Sequence, residues 1–439
     1  MLTRVDLRGE DGAPETLLPR PVLTEAAVAD TVREVIAEVR QRGDAALYDL
    51  TERLDGVRLE SLVVPQDTGV KALSSLPSDL RDALMVAEAA VRRHHEEELR
   101  ASRETLDRGL RIRTLPRPMV RAGCYVPGGR AAYPSTVLMT AVVARVAGVD
   151  EVVVCVPPGE GGGVAEVTLA ATEVAGVDVV HPVGGAQAIA AMAYGTESVR
   201  KVDVIVGPGN MYVAQAKQQV AGAVRVPSAF TGPSEVVVVA DGTSPAEFTA
   251  TDLVAQTEHG PDGMSWLVTW DEAVADAVDV ALDGVLEDAR RGAEIAGTLA
   301  SSGHCVLVDD EQQALAVVDA IAPEHLQLMV AAPEALAERV HNAGAVFLGP
   351  WTPTSIGDYV AGPSHVLPTA GTARFAGALT VADFTKDINL VTADPDALRR
   401  LGPYVEALAV AEGQSPALGR AGRIGAPGYR AAEVRCHLR

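Results

Sequence analysis

The sequence predicts an α/β protein with two parallel β-sheets. Three short β-branched runs, Val152–Val154, Val179–Val180 and Val204–Val206, each follow a Val-Asp pair and lead into a Pro or Gly. An alanine-rich helical stretch comes after each run. Continuous apolar strands that alternate with helices are typical of a parallel sheet covered on both faces.

Further strands of the same type are expected at Glu235–Ala240, Trp266–Thr269, Cys305–Val308 and Ala345–Leu348. The two groups of strands are expected to form two sheets. Before them the sequence predicts helices, because apolar residues between Thr24 and Leu54 recur every three or four positions. A second helix is expected to begin near Ser78 and to continue toward Leu106.

This rhythm divides the chain into an irregular N-terminal arm, two α/β domains and a small C-terminal tail domain. The first α/β domain is expected to be discontinuous, with the second inserted into it. The expected boundaries are 1–23 for the arm, 24–120 and 236–380 for the first domain, 121–235 for the second domain, and 381–439 for the tail.

Composition excludes several classes of function. The chain has 439 residues and a net charge of −22, a field that repels phosphate backbones and argues against nucleic-acid binding. No stretch approaches the roughly 18 uninterrupted apolar residues of a membrane span. The N-terminus lacks the apolar core of a signal peptide. We therefore expect a cytoplasmic protein with no membrane contact.

The cysteines support the same compartment. Cys124, Cys155, Cys305 and Cys436 are scattered and show no paired spacing. We interpret them as reduced thiols, not as a disulfide framework or a cysteine-type zinc site.

Polar side chains lie among glycines in three loops that follow predicted strands. Tyr125, Gln187 and Asn210 belong to these loops. Open parallel sheets bind ligands at the carboxyl ends of their strands, so three such loops in one predicted domain indicate a shared crevice. Neither a G-x-G-x-x-G run nor a Walker loop is present, so a bound dinucleotide would lack the usual fingerprint.

A second polar group lies near a predicted helix end. Gln256 and His259 are three residues apart, so they project from one face, and Gly260-Pro261 ends the helix. An amide oxygen and an imidazole are suitable zinc ligands, and Asp358, in a long Gly- and Pro-rich loop, would complete a set of three. The alternative is a polar helix end on the surface.

Glu324 and His325 are adjacent in Ala322-Pro-Glu-His, which we interpret as a helix start. Because neighbouring helical residues point in different directions, the pair could act as two separate bases facing one substrate. The alternative is a surface carboxylate beside a satisfied core histidine. The pair His94-His95, which lies among arginines and glutamates, is expected to form a solvated charged face.

Seven segments, in this order, resemble the histidinol dehydrogenase family. They are Tyr125–Gly129, Val183–Ala188, Gly207–Asn210, Gly232–Glu235, Gln256–Gly260, Ala322–Leu326 and Gly357–Thr369. The resemblance covers roughly residues 25–413 and implies two Rossmann-like domains. It implies a homodimeric enzyme that oxidises L-histidinol to L-histidine in two NAD-dependent steps through the aldehyde. Zinc would position the substrate, and the tail of one subunit would complete the active site of the other.

The resemblance also assigns residues. Positions that match the family's motifs are, for zinc, Gln256, His259 and Asp358; for acid–base catalysis, Glu324 and His325; for substrate, Ser234, His365 and Glu412 from the partner subunit; and for NAD, Tyr125, Gln187 and Asn210. Within this assignment His325 takes the alcohol proton and Glu324 activates water for the second oxidation.

The tail departs from the family's pattern. The family has a fourth zinc ligand, a histidine, five residues after its tail glutamate, and this chain has Ala417 there. If an insertion displaces the motif, the position falls on Gly428 or Tyr429. Only His437 lies near the C-terminus. A site with three protein ligands can persist when water or substrate supplies the fourth.

Two alternatives to L-histidinol oxidation therefore stay open. The chain could be a related dehydrogenase that acts on another amino alcohol or a diol. It could also be a catalytically weak homologue with a binding role.

Overall fold

The structure, a computed structural model, describes residues 1–10, 12–19, 25–128, 131–228, 234–258 and 263–413, with residues 25–27 described through their backbone alone. Some sequence predictions lie outside these ranges, namely those for His259, Ala417, Gly428, Tyr429, Cys436 and His437.

Strands and helices alternate along most of the described chain. The strands are β1 Thr3–Asp6, β2 Arg103–Asp107, β3 Leu110–Pro118, β4 Arg121–Tyr125, β5 Glu151–Cys155, β6 Val179–His181, β7 Val204–Val206, β8 Glu235–Ala240, β9 Met264–Thr269, β10 Gly303–Leu307, β11 His325–Met329, β12 Ala345–Leu348 and β13 Thr385–Ala393. The α-helices are α1 Pro14–Leu17, α2 Glu25–Arg42, α3 Asp44–Asp55, α4 Thr68–Ser75, α5 Ser78–Glu96, α6 Pro134–Val137, α7 Val143–Val146, α8 Glu166–Val174, α9 Gly185–Tyr194, α10 Met211–Val220, α11 Ala246–Thr257, α12 Glu272–Asp288, α13 Gly292–Ser302, α14 Glu311–Ile321, α15 Pro333–Ala337, α16 Thr354–Tyr359 and α17 Pro395–Ala411. A π-helical turn, Leu138–Val142, joins α6 to α7, and 3-10 turns lie at Thr372–Arg374 and Val381–Phe384.

A six-stranded parallel sheet has the order β1-β10-β9-β8-β11-β12. Its four inner strands are buried on both faces because helices cover both faces. On β8, Val236 and Val238 pack with Leu253 of α11, whereas Val237 and Val239 pack with residues of α14 on the other face. Glu235, Met264 and His325 are the first residues of their strands, so they lie at the amino edge of this sheet.

A four-stranded parallel sheet has the order β6-β5-β4-β7. Helices α2, α3, α9 and α10 contribute the core on one face, and α4 to α8 contribute the core on the other. The prediction of an α/β protein with two parallel sheets is therefore confirmed.

Several local predictions need correction. The predicted arm contains β1, which pairs with β10 because an edge strand leaves main-chain groups that another strand can satisfy. The second predicted helix ends at Glu96 and does not reach Leu106. The predicted domain boundaries stay a prediction. They joined residues 24–120 to the six-stranded sheet, whereas α2 packs on α9 and α10, beside the four-stranded sheet.

A second compact unit consists of residues 100–118 and 385–439. Its strands form an antiparallel sheet in the order β13-β3-β2, and α17 follows β13. The sequence predicted no strand after Ala345–Leu348, whereas β13 pairs with β3 over nine residues. The partners are far apart in sequence and most residues of β13 are exposed, so no continuous apolar run announces this sheet.

No described helix combines the length and apolar content needed to cross a bilayer. Cys124, Cys155 and Cys305 are buried free thiols, as predicted.

Candidate active site

Glu324 and His325 lie at the amino edge of the six-stranded sheet. The predicted helix start is wrong: α14 ends at Ile321, and His325 begins β11. Ala322 adopts a left-handed conformation with φ of 53°, which ends the helix, and Pro323 prevents its continuation. Glu324 lies in a bend directly before the strand, and its carboxylate approaches the His325 ring.

The Glu324 carboxylate is buried and held by two donors. Ser234 Oγ donates a short hydrogen bond to Glu324 Oε2. The main-chain N–H of Glu235 donates to the same oxygen at 3.2 Å. Hydrogen bonds to an ionised acceptor are stronger than neutral ones, so this carboxylate is fixed in orientation.

The His325 ring lies between two carboxylates. Its Nδ1 is 3.7 Å from Glu324 Oε2, and its Nε2 is 3.6 Å from Asp358 Oδ1. Phe347 stacks on the ring, with centroids 6.0 Å apart. Burial alone would lower the pKa of His325, but the Glu324 and Asp358 charges outweigh it and raise the pKa to about 9. A cation held by Asp358 would offset the charge of that carboxylate and lower the pKa of His325. More of the imidazole would then be in its neutral, basic form.

His365 connects this edge to the helices of the four-stranded sheet. Its Nδ1 donates to the main-chain carbonyl of Asp358 at 2.9 Å, and its Nε2 lies 3.2 Å from Thr136 Oγ of α6. Ser364 Oγ donates to the Met139 carbonyl, which adds a second link across the two layers. The imidazole is therefore held from both sides.

These contacts bring Ser234, Glu324, His325, Asp358 and His365 into one network. Gln256 of α11 is not hydrogen-bonded to it among the described residues. His259 lies outside the described residues.

The donors present nevertheless fit a metal ion. The Gln256 amide is buried, and its nitrogen has no hydrogen-bond partner within the described part of the chain. A terminal amide in that state can turn its oxygen toward a cation. Asp358 supplies a carboxylate, and amide, carboxylate and imidazole donors together suit zinc.

One other cluster could hold a metal. In the described ranges, ligand atoms of His94, His95 and Glu98 all lie within 4.8 Å of one another. Glu98 also accepts the main-chain N–H of Val381 at 2.9 Å and bonds His95 Nδ1 at 2.9 Å. We interpret the cluster as a structural tie between α5 and the Val381–Phe384 turn.

The three loops predicted to form a crevice do lie at the carboxyl edge of the four-stranded sheet. Tyr125 ends β4, and its hydroxyl accepts the Gly185 N–H at 3.1 Å. Asn210 follows β7 and caps α10, because its side-chain oxygen accepts two main-chain N–H groups at 3.1 Å. Gln187, in the first turn of α9, is buried, and its Oε1 has no hydrogen-bond partner among the described atoms.

Sequence reasoning missed Lys217, which supports one of these loops. Its side chain is 2% exposed, and its ammonium group donates a short hydrogen bond to the Gly207 carbonyl and another, 3.4 Å long, to the Ser228 carbonyl. Burial lowers the pKa of Lys217 to about 7. A lysine on the same helix face as Val213 and Val220 was the available signal.

Glu412 caps the end of α17 and is exposed. Its main-chain N–H donates to the Leu408 carbonyl at 3.0 Å. These contacts do not test its predicted role toward a partner subunit.

The histidinol dehydrogenase family model matches residues 18–417. The chain belongs to this family. The histidinol dehydrogenase of Parasynechococcus marenigrum is 48% identical over 393 residues, which are 88% of either chain. That of Chlorobium chlorochromatii is 45% identical over 92% of this chain and 94% of its own. The crystal structure of histidinol dehydrogenase from Elizabethkingia anophelis superposes with a TM-score of 0.89 at 31% identity, covering 94% of this chain and 95% of that one.

The predicted family and the predicted enzyme class, an NAD-dependent dehydrogenase, are thereby confirmed. The similarity extends through the whole described core, so a homologue with only a binding role is not favoured. Histidinol dehydrogenases are generally NAD- and zinc-dependent and homodimeric. The roles of individual residues in this chain stay predictions.

Proposed function

We propose that this chain oxidises L-histidinol to L-histidine in two NAD-dependent steps through the aldehyde. The observation that carries the proposal is the network at the amino edge of the six-stranded sheet. It places a buried imidazole between two carboxylates, and it holds one of those carboxylates with a hydroxyl and a main-chain N–H. Family membership selects the substrate.

In the first step His325 takes the alcohol proton. Positioned between Glu324 and Asp358, its imidazolium is stabilised by both charges. In the second step Glu324 takes a proton from the water that adds to the aldehyde. Ser234 keeps this carboxylate oriented, and His365 binds the substrate from the opposite layer.

The cofactors have separate places in this proposal. Gln256, His259 and Asp358 would hold zinc, which would act as a Lewis acid and would position the substrate. Tyr125, Gln187 and Asn210 would hold NAD, which accepts one hydride in each step. Each L-histidinol would therefore consume one water and two NAD and would yield two NADH.

The test is to purify the protein with zinc and to follow NADH on L-histidinol beside a panel of amino alcohols and diols. We expect two NADH per L-histidinol. Turnover of another alcohol with none of L-histidinol would favour the related dehydrogenase. No turnover of any alcohol, with NAD still bound, would favour the binding homologue.

Lys217 provides a prediction for the cofactor loop. Lys217→Met removes the donor that fixes the Gly207 carbonyl beneath the turn carrying Asn210. We expect the KM for NAD to rise about tenfold, because a buried acceptor left unpaired costs about 1–3 kcal/mol and loosens the turn. Steady-state kinetics with varied NAD measures the change, and Gln218→Met on the same helix is the control. An unchanged KM for NAD in Lys217→Met would contradict this role.

We also propose that the chain forms a homodimer through its second compact unit. This unit exposes apolar side chains on β13 and α17, including Val391 at 64%, Tyr404 at 67% and Leu408 at 66% exposure. Exposed apolar patches of this kind mark interaction surfaces. Leu408→Asp should convert dimers to monomers in sedimentation velocity, whereas Glu406→Gln, at a half-buried polar residue of the same helix, should not. A wild-type monomer would refute the proposal.

A cytoplasmic location stays a prediction.

A further inference from the structure

Glu235 is a buried carboxyl group next to the proposed catalytic carboxylate. It begins β8, directly after Ser234, and its side chain is 3% exposed. Its main-chain N–H bonds Glu324. Its side chain lines a cavity with Met264 and Trp266, which are core residues of the sheet face that also carries Val237. Glu235 thus contacts Glu324 through its main-chain N–H, and its carboxyl group serves a further purpose.

That purpose is visible at the turn Ala370–Gly371. The main-chain N–H of Gly371 donates to Glu235 Oε1 at 3.4 Å. Both turn residues are left-handed, with φ of 54° at Ala370 and 74° at Gly371. Alanine rarely adopts this conformation, and it persists only when its surroundings fix it.

The turn belongs to the segment that begins with His365. Pro368, between the two, lies against Gly344, which also packs on the main chain of Glu324. A Cβ added at Gly344 would lie 2.6 Å from the Glu324 carbonyl oxygen and 3.2 Å from Pro368 Cδ, so only glycine allows this contact. The segment is therefore fastened at His365 by Asp358 and Thr136 and at its other end by Glu235.

We propose that Glu235 is a positioning residue that fastens the Ala370–Gly371 turn and thereby sets His365 at its working distance from Ser234 and Glu324. The inference rests on the proposed function, in which those three residues contact the substrate. The acceptor oxygen matters for this role, whereas a negative charge does not.

The electrostatics of the cavity agree with a neutral side chain. Burial, followed by the charge of Glu324, raises the pKa of Glu235 to about 8. The cavity, about 420 Å³ in volume, is lined by two further charged residues, Glu15 and Arg374. Arg374 donates to the Ala320 carbonyl at 2.7 Å and lies 4.0 Å from Glu15. A protonated Glu235 keeps one oxygen as acceptor for the turn, and glutamine has the same shape and the same acceptor.

The test compares Glu235→Gln with Glu235→Ala. Met264→Leu is the control, because Met264 is the register partner of Glu235 on β9 and lines the same cavity. On L-histidinol we expect Glu235→Gln to retain kcat within about threefold. Glu235→Ala should lower kcat about 30-fold, since small misplacements of positioning groups can cost up to about 100-fold. The KM for NAD should stay within about twofold in every variant, because the cofactor edge is untouched.

A second measurement needs no turnover. Amide hydrogen exchange of a peptide spanning residues 366–376 should accelerate about tenfold in Glu235→Ala and stay within about twofold of wild type in Glu235→Gln and Met264→Leu. Unchanged exchange in Glu235→Ala would overturn the inference, whatever the kinetics. Equal loss of kcat in Glu235→Gln and Glu235→Ala would also overturn it, because the acidic group itself would then be required. If wild type turned over no L-histidinol, the proposed function would fail, while exchange would still decide whether Glu235 holds the turn.

Discussion

Glu324→Gln should stop the reaction after the first oxidation. The amide has the shape of the carboxylate, and its oxygen can still accept from Ser234 and the Glu235 N–H. It cannot take a proton from water, so oxidation of the aldehyde should fall about 100- to 10,000-fold. Alcohol oxidation depends on His325 and should fall much less. The yield in a single assay should therefore drop from two NADH to one per L-histidinol, and the aldehyde should be trapped by a carbonyl reagent.

His325→Asn is the complementary variant. It removes the base of the first step, so NADH formation from L-histidinol should fall about 100- to 10,000-fold. Supplied aldehyde should be oxidised far better than L-histidinol by this variant. Ser234→Ala, which leaves Glu324 present but less firmly oriented, is the graded control. Two NADH per L-histidinol at a near-normal rate in Glu324→Gln would show that another group activates water.

Much of the fold could be predicted because its strands are local apolar runs. The valines of β5, β7 and β8 are buried on both faces, and such runs require no knowledge of distant residues. The antiparallel sheet of the second unit could not be predicted this way. Its strands are mostly exposed, and β13 pairs with β3 across a long sequence separation, so this pairing is decided by partners and not by the composition of the strands.

The location of the candidate site was also hard to predict from local sequence. Resemblance predicted roles for Ser234 and Glu324, but the general rule for ligand sites points to carboxyl edges of parallel sheets. Tyr125 and Asn210 lie at a carboxyl edge, whereas Glu324 lies at an amino edge. The segment Ala322–His325 was misassigned because Pro-Glu is also a frequent helix start. Only three-dimensional neighbours distinguish the two.

Buried polar residues were the hardest to recognise. Glu235 begins an otherwise apolar strand and Lys217 lies on the buried face of an amphipathic helix, and a charged residue in either place is easily interpreted as a surface position. Their partners are main-chain groups at Gly371 and at Gly207, which carry no side-chain signal in the sequence. Their roles become visible only when burial and hydrogen bonding are known together.

Asp358→Asn should deprive the protein of zinc. The carboxylate supplies both a ligand and the negative charge that offsets the metal's charge, so we expect zinc affinity to fall at least about 100-fold. Activity on L-histidinol should be lost with it. Because Asp358 also lies 3.6 Å from His325, the same change lowers the pKa of His325, and activity alone would not separate the two effects. Bound zinc, measured by metal analysis and chelator competition, is therefore the deciding quantity.

The exposed Glu258→Gln, at the end of α11, removes the same charge close to Gln256 and is the matched control that should keep its zinc. Ala417→His gives the opposite test. It restores a histidine where the family has its fourth ligand, so it should tighten zinc binding, and it should raise activity on L-histidinol if the tail reaches the metal. Asp358→Asn that retains one zinc per subunit with unchanged affinity would remove Asp358 from the ligand set. It would also require another explanation for the carboxylate beside His325.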